Sequence, residues 1–286
     1  MARLIELGFT GCMTTEGTTL ILGGTGKTGR RVAQRLAGQR RPVRIGSRGG
    51  TPPFDWQQQA TWAPALDAVT AIYVSYHPDI GHPDAAATIR AFTGLAVEVG
   101  VRRMVLLSGR NSEEALPAEQ AIRDSGAKWT ILRGSWFCQN FDEGFLLEPV
   151  RTGVLAMPAA DVVEPFVDAG DIADVAVAAL SEEGHAGMTY ELSGARLLSF
   201  ADAAKEISAA TGRTIRYQPI TTGQFASLLT NAMPADYATF LADLLTKELD
   251  GRNAHLTDGV QRALGREPTD FADYARSAAA TGVWNG

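Results

Sequence analysis

Thr18-Thr-Leu-Ile-Leu-Gly-Gly-Thr-Gly-Lys-Thr-Gly-Arg-Arg-Val32 is the stretch that decides the fold. An apolar, β-favouring segment ends in glycines and opens directly into a helical pattern, with Val32 and Leu36 on one face. Gly24, Gly26 and Gly29 fit the Gly-x-Gly-x-x-Gly spacing; Gly23, Gly26 and Gly29 fit its looser Gly-x-x-Gly-x-x-Gly variant. Between a strand and a helix this spacing answers a definite need: a tight turn, close backbone approach to a pyrophosphate, and close packing of helix on strand. The anion then meets N–H groups at the positive end of the helix dipole. Gly26-Lys27-Thr28 imitates the end of a Walker A loop, but that loop needs a glycine five residues before Gly26, where Ile21 stands. The nucleotide-triphosphatase reading fails on spacing, and an ordinary glycine-rich turn is the remaining alternative.

The choice between NAD and NADP lies about twenty residues further on, where an NAD site carries Asp or Glu at the end of the second strand. Here that strand is Pro42-Val-Arg-Ile45, followed by Gly46-Ser47-Arg48. No acidic residue occurs between Glu16 and Asp55, whereas Lys27, Arg30, Arg31, Arg35, Arg40, Arg41, Arg44 and Arg48 all do. A 2′-phosphate is repelled by a carboxylate and paired by a guanidinium fork. Arg48, helped by the Ser47 hydroxyl, is the expected contact, so NADP(H) is the expected cofactor. Arg30, Arg31 and Arg35 read as solvated charges on the helix face.

A chain of 286 residues suits one large α/β domain with a smaller companion. Its net charge of −6 gives no reason to expect nucleic acid or an anionic membrane as partner. No apolar run approaches the ~20 residues needed to cross a bilayer. Cys12 and Cys138 are too few for a disulfide framework, and the scattered His77, His82, His185 and His255 give no metal spacing. Glu6 interrupts any signal-peptide core, so a cytoplasmic monomer or homodimer acting on a small molecule is expected. Residues 1–17 read as an extension, disordered or preceding a natural start at Met13.

After the glycine turn, strand and helix alternate, which implies an α/β fold with a Rossmann-type, doubly wound parallel sheet. Ala71–Tyr76, Arg102–Ser108 and Trp129–Arg133 read as strands, with helices over Asp84–Gly100 and Pro117–Gly126. The expected division is a nucleotide-binding domain over 18–155 and a smaller, mainly helical substrate lobe over 156–286, with 190–194 returning to the sheet. Trp136–Arg151 looks helical, Gly153–Met157 and Pro165–Val167 look like short strands, and Asp171 looks like the cap of a helix through Leu180. A further helix is expected to begin at a Ser199 cap and close at Gly212.

Together, Gly23–Gly29, Ser47-Arg48, Phe54-Asp-Trp56, Val105-Leu-Leu-Ser108, Ala118–Ile122 and Trp129–Phe137 resemble the NmrA-like atypical short-chain dehydrogenase/reductases, nearest their ergot-alkaloid-type reductases. The likeness runs from Thr18 through Gly265-Arg-Glu-Pro-Thr-Asp-Phe271. It implies NADP(H) held through Gly23, Thr25, Gly26, Lys27, Thr28, Gly29 and Arg48, and adenine-side contact near Asp55. It further implies contacts along the nicotinamide half near Tyr76, His77 and Ser108, with Trp136, Phe137 and Asn140 beside the reacting ring. Gly134 departs from the proline that the family usually carries there.

The usual short-chain acid, a tyrosine with lysine four residues later, is missing. Tyr73, Tyr76, Tyr190, Tyr217, Tyr237 and Tyr274 are followed at that spacing by His77, Ile80, Gly194, Thr221, Leu241 and Ala278. Hydride addition to an iminium carbon needs no acid, and quinones and activated alkenes come close to that case. An NADPH-dependent reductase of such acceptors is therefore the leading expectation; a non-catalytic NADP(H) sensor of the NmrA regulatory type is the alternative. Ser108 is the candidate polar hand on substrate or nicotinamide amide, or else a turn hydroxyl. Glu119 and Asp168 read either as partners for a cationic substrate or as a solvated charge and a turn residue. Phe141 and Phe145 read as core, Trp136 and Phe137 as pocket lining.

Overall fold

The computed structural model describes residues 17–230 and 233–285; apart from Gly17, the expected N-terminal extension lies outside them. Strand β1 (Thr18–Leu22) enters α1 (Lys27–Gly38) through the glycine turn, followed by β2 (Val43–Gly46), the short α2 (Trp62–Ala65) and β3 (Val69–Val74). Then come α3 (Ala85–Glu98), β4 (Arg103–Gly109), α4 (Leu116–Arg123) and β5 (Lys128–Gly134). These five strands and one later strand form a six-stranded parallel sheet. Leu20 and Leu22 face one side of it and Ile21 the other, because side chains alternate along a strand. Both faces are covered: α3 and α4 bury Ile89, Phe92 and Ile122 against Leu20, Ile72 and Met104. On the opposite face Val32 and Leu36 of α1 join Ile21, Tyr73 and Val105. Near-continuous apolar strands are what a parallel sheet buried on both faces demands.

Beyond β5 the chain builds a second lobe from α5 (Asn140–Glu143), α6 (Leu147–Thr152), β6 (Val154–Met157) and β7 (Val163–Glu164). Helix α7 (Ala169–Ser181) then packs on α1, and β8 (Met188–Leu192) joins the main sheet beside β5. The chain continues through β9 (Leu198–Ser199), α8 (Phe200–Thr211), β10 (Arg216–Pro219), α9 (Thr222–Leu229) and α10 (Ala235–Glu248). It ends with α11 (Gly259–Leu264) against α7 and β8, and α12 (Phe271–Ala280) against α8. An aromatic cluster centres this lobe, with Phe166 5.4 Å from Phe141 and 5.3 Å from Phe200, rings edge to face. Edge-to-face pairs add roughly 0.5–1.5 kcal/mol each beyond the area they bury.

The sheet order β2-β1-β3-β4-β5-β8 positions the site. From β1 the chain steps outward to β2, then crosses back to β3 on the other side. That reversal opens a crevice at the carboxyl ends of β1 and β3, where ligands of open α/β sheets bind.

Three local expectations give way to tertiary contacts. Trp136–Arg151 is not one helix: Phe137 bridges Val167 in parallel, with Cys138 N–H donating to the Val167 carbonyl at 2.9 Å and Val167 N–H to the Trp136 carbonyl at 2.8 Å. Gly144, at φ −136° and ψ −163°, then separates α5 from α6. Asp168, not Asp171, caps α7 by accepting from the Gly170 N–H. Asp171 lies buried in the first turn, accepting from the Thr269 N–H at 2.7 Å and pairing with Arg266 at 2.7 Å. Arg30, Arg31 and Arg35 are not simply solvated: Arg30 and Arg31 pair with Glu143, and Arg35 pairs with Asp174. By contrast, α8 follows the sequence, with a reciprocal Ser199–Asp202 capping box and Gly212 at φ +68°.

Candidate active site

Leu22 ends β1 level with Gly46 of β2, so the glycine turn and the Ser47-Arg48 turn lie side by side. Gly23 adopts φ +68°, which L side chains rarely tolerate. A Cβ on Gly29 would come within 2.2 Å of the Gly23 carbonyl oxygen and 2.9 Å of Gly24 Cα. Only glycine lets α1 start that close to β1. No side chain caps α1, whose first-turn N–H groups have no intrahelical acceptors. Thr25 and Gly26 are exposed on the lip, while Thr28 is buried beneath it. This uncapped cradle fits the pyrophosphate of a dinucleotide.

Arg48 projects into solvent from the turn after β2 and makes no hydrogen bond or ion pair with another described residue. Arg44 is committed elsewhere, donating to the carbonyls of Ala65 and Asp67 at 2.8 and 2.6 Å. Asp55 is half-buried; its carboxylate accepts from the Gln57 N–H at 3.0 Å and its carbonyl from Trp62 Nε1 at 2.9 Å. One oxygen of that carboxylate thus helps to organise its own turn.

A cleft of about 450 Å³ continues from the turn along the carboxyl ends of β3, β4 and β5, roofed by α10. It gathers Lys27, Tyr76, Ser108, Trp136, Phe137 and Asn140, residues from four separate stretches of the sequence. His77 is exposed and does not line it. Lys27 Nζ donates to Asn140 Oδ1 at 2.8 Å, tying α1 to the segment after β5. Burial lowers the Lys27 pKa against the pull of Glu143 and Asp142. Gly134 makes room for Phe137: a Cβ there would lie 3.0 Å from Phe137 Cε1.

Ser108 reaches the cleft, but its hydroxyl donates to Glu119 Oε1 at 2.8 Å. With its proton given to Glu119, the Ser108 hydroxyl has only lone pairs left to offer as a polar hand. Glu119 is fully buried, neither solvated nor available to substrate. Burial opposes its charge, yet the Arg133 fork at 2.8 and 2.7 Å and the Ser108 hydroxyl hold its pKa below the usual range. Asp168 is the α7 cap and accepts from Gln139 Nε2 at 3.0 Å.

Several lining residues carry no sequence signal. Arg110, 4 % exposed, donates to Ser135 Oγ at 2.8 Å and meets His255 Nε2 at 2.8 Å. Leu241, Leu244, Leu245 and Glu248 come from α10, far along the chain from the strand-end residues of the site. The spacing of Ala238, Ala242, Leu245 and Leu249 would mark an amphipathic helix. Nothing local says which site that helix roofs.

Fold and site define a Rossmann-type protein whose helical lobe covers the carboxyl ends of the central strands. The chain belongs to the NmrA-like family, whose pattern matches residues 115–275. It is 33 % identical to the uncharacterized oxidoreductase YesF of Bacillus subtilis, over 95 % of this chain and 99 % of that one. It is 31 % identical to the agroclavine dehydrogenase of Claviceps fusiformis, over 90 % of this chain and 96 % of that one. Among solved structures, the triphenylmethane reductase of Citrobacter sp. complexed with NADP(H) is similar at a TM-score of 0.72 and 21 % identity, covering 92 % of this chain and 99 % of that one.

Proposed function

We propose that this protein is an NADPH-dependent reductase that delivers hydride to a small electron-poor acceptor: an iminium carbon, a quinone or an activated alkene. The observation that carries this reading is the α10-roofed cleft of mixed polar and apolar lining, which Lys27 at the start of α1 links to the glycine cradle. The cradle's geometry suits a pyrophosphate, and the adjoining volume lies within the range of small-molecule sites. Gly23, Thr25, Gly26, Thr28 and Gly29 hold the pyrophosphate through the main chain, with Lys27 adding charge. Arg48 and Ser47 hold the 2′-phosphate. When bound, NADPH supplies the hydride.

Tyr76 and Asn140 flank the nicotinamide half, and Ser108 offers its amide an acceptor. Trp136, Phe137 and the α10 leucines form the substrate wall, positioning the acceptor and excluding water. Residues 156–286, apart from α7, β8 and α11, form the lobe that shapes the substrate side. Its relatives named for agroclavine dehydrogenation and triphenylmethane reduction support oxidoreductase chemistry in such a cleft. Loss of absorbance at 340 nm is expected when NADPH is mixed with the enzyme and a panel of iminium salts, quinones and enones. Tight NADPH binding with no turnover of any acceptor would refute the enzyme reading in favour of the non-catalytic sensor.

A further inference from the structure

We propose that Glu248 is the catalytic acid of this cleft, giving its carboxyl proton to the acceptor atom that does not receive the hydride. The inference rests on the reductase reading above and deepens it. Glu248 is the last residue of α10 and lines the same cleft as Lys27, Tyr76, Ser108 and Asn140. The Trp136 indole, itself part of the substrate wall, lines the cleft with it and is near enough to favour its charged form. No tyrosine other than Tyr76 lines this cleft among the described residues, and the Ser108 proton is taken by Glu119.

The surroundings leave a substantial fraction of Glu248 protonated near neutral pH. Burial, then the charge of Asp79 on the loop after β3, pushes its pKa up to about 7. Glu114, ahead of α4, adds to the rise, while Trp136 and Arg252, beyond α10, oppose it. Glu164 of β7 lies close enough to repel it. Arg110 lines the cleft from the end of β4, and Asp243 and Lys247 share its helix. The negative end of the α10 dipole also disfavours a carboxylate at that position.

The step balances for a neutral acceptor. Hydride from the reduced nicotinamide forms a bond to one end of the C=C, C=O or C=N unit. The π pair moves to the other end and takes the Glu248 proton, and the carboxylate regains a proton from water. A cationic iminium acceptor needs no such proton, because its nitrogen ends neutral.

The test compares wild type, E248Q and E248D with a neutral quinone and with an N-alkyl iminium salt, at equal occupancy of NADPH. With the quinone, kcat of E248Q is expected to fall by about 100-fold or more, in the range of a lost general acid. KM should change little, and E248D should recover part of the rate. Wild-type quinone kcat should drop tenfold per pH unit above about 7, and this break should vanish in E248Q. With the iminium salt the loss in kcat should be at least tenfold smaller. Calorimetry of NADPH binding to each variant controls for folding. Independently of turnover, the 13C carboxyl resonance that disappears in E248Q should titrate near 7 in the free wild-type protein. Equal quinone kcat in wild type and E248Q, or titration of that resonance near 4, overturns the proposal while leaving the reductase reading intact. Wild type that reduces neither acceptor overturns both.

Discussion

Replacing Arg48 by Ala isolates the electrostatics on which cofactor preference depends. The guanidinium stands on an exposed turn, engaged with no other described residue, so removing it disturbs no packing and leaves no buried group unpaired. A charge-assisted hydrogen bond contributes roughly 1.5–3 kcal/mol when well formed, whereas exposed ion pairs contribute about 0.2–1 kcal/mol. A phosphate dianion facing a solvent-exposed fork falls between them, about 1–2 kcal/mol, or 5- to 30-fold in affinity. NADPH binding, measured calorimetrically at low salt, should weaken by that factor in R48A, while NADH binding stays within twofold. The difference should shrink as salt rises, because the screening length falls from about 8 Å at 0.15 M to about 3 Å at 1 M. Equal weakening of both dinucleotides, or unchanged NADPH affinity, would refute the assignment of the 2′-phosphate to Arg48.

Gly29→Ala drives a Cβ into the main chain of the glycine turn, so NADPH affinity should fall at least tenfold and thermal stability by about 1–3 kcal/mol; Gly38→Ala, whose Cβ meets nothing within 4 Å, is the matched control and should be neutral or stabilising. Glu119→Ala leaves Arg133 facing an empty buried site and should lower stability by about 3 kcal/mol in urea denaturation, with Glu119→Gln milder because it keeps an acceptor for Ser108. Glu164, its carboxylate oxygens buried without hydrogen-bond partners, is pushed by burial from 4.5 to about 8. Its contribution to stability is therefore fully present below about pH 4.5 and lost as pH rises through 8. Glu164→Gln should gain on the order of 1–3 kcal/mol at pH 9 relative to wild type, and a melting-temperature difference that is the same at pH 5 and pH 9 would contradict this.

Much of the nucleotide half was legible in the sequence because its signals are local. The glycine spacing, the apolar strand before it and the helix after it occupy fifteen consecutive residues, and a tight turn dictates glycine wherever a Cβ would strike backbone. The run without acids up to Asp55 was equally local, as was the Ser199–Asp202 cap with its closing Gly212. The parallel sheet followed from alternation alone, and β8 (Met188–Leu192), which pairs with β5, overlaps the 190–194 segment that the sequence pointed to.

Tertiary structure decided which polar groups face ligand and which face protein. Ser108 and Glu119 look available in sequence, yet Arg133, fourteen residues beyond Glu119, draws both into a buried network. Val167 pulled Trp136–Cys138 out of a helix by offering main-chain partners that no periodicity records. Glu248 had no signal at all, since a glutamate at a helix end is usually solvated. Its meaning comes from α10 folding across the strand ends, where burial and neighbouring carboxylates alter what its proton does. Sequence carries what neighbours along the chain impose on one another; the fold alone sets the field that distant charges create at a point.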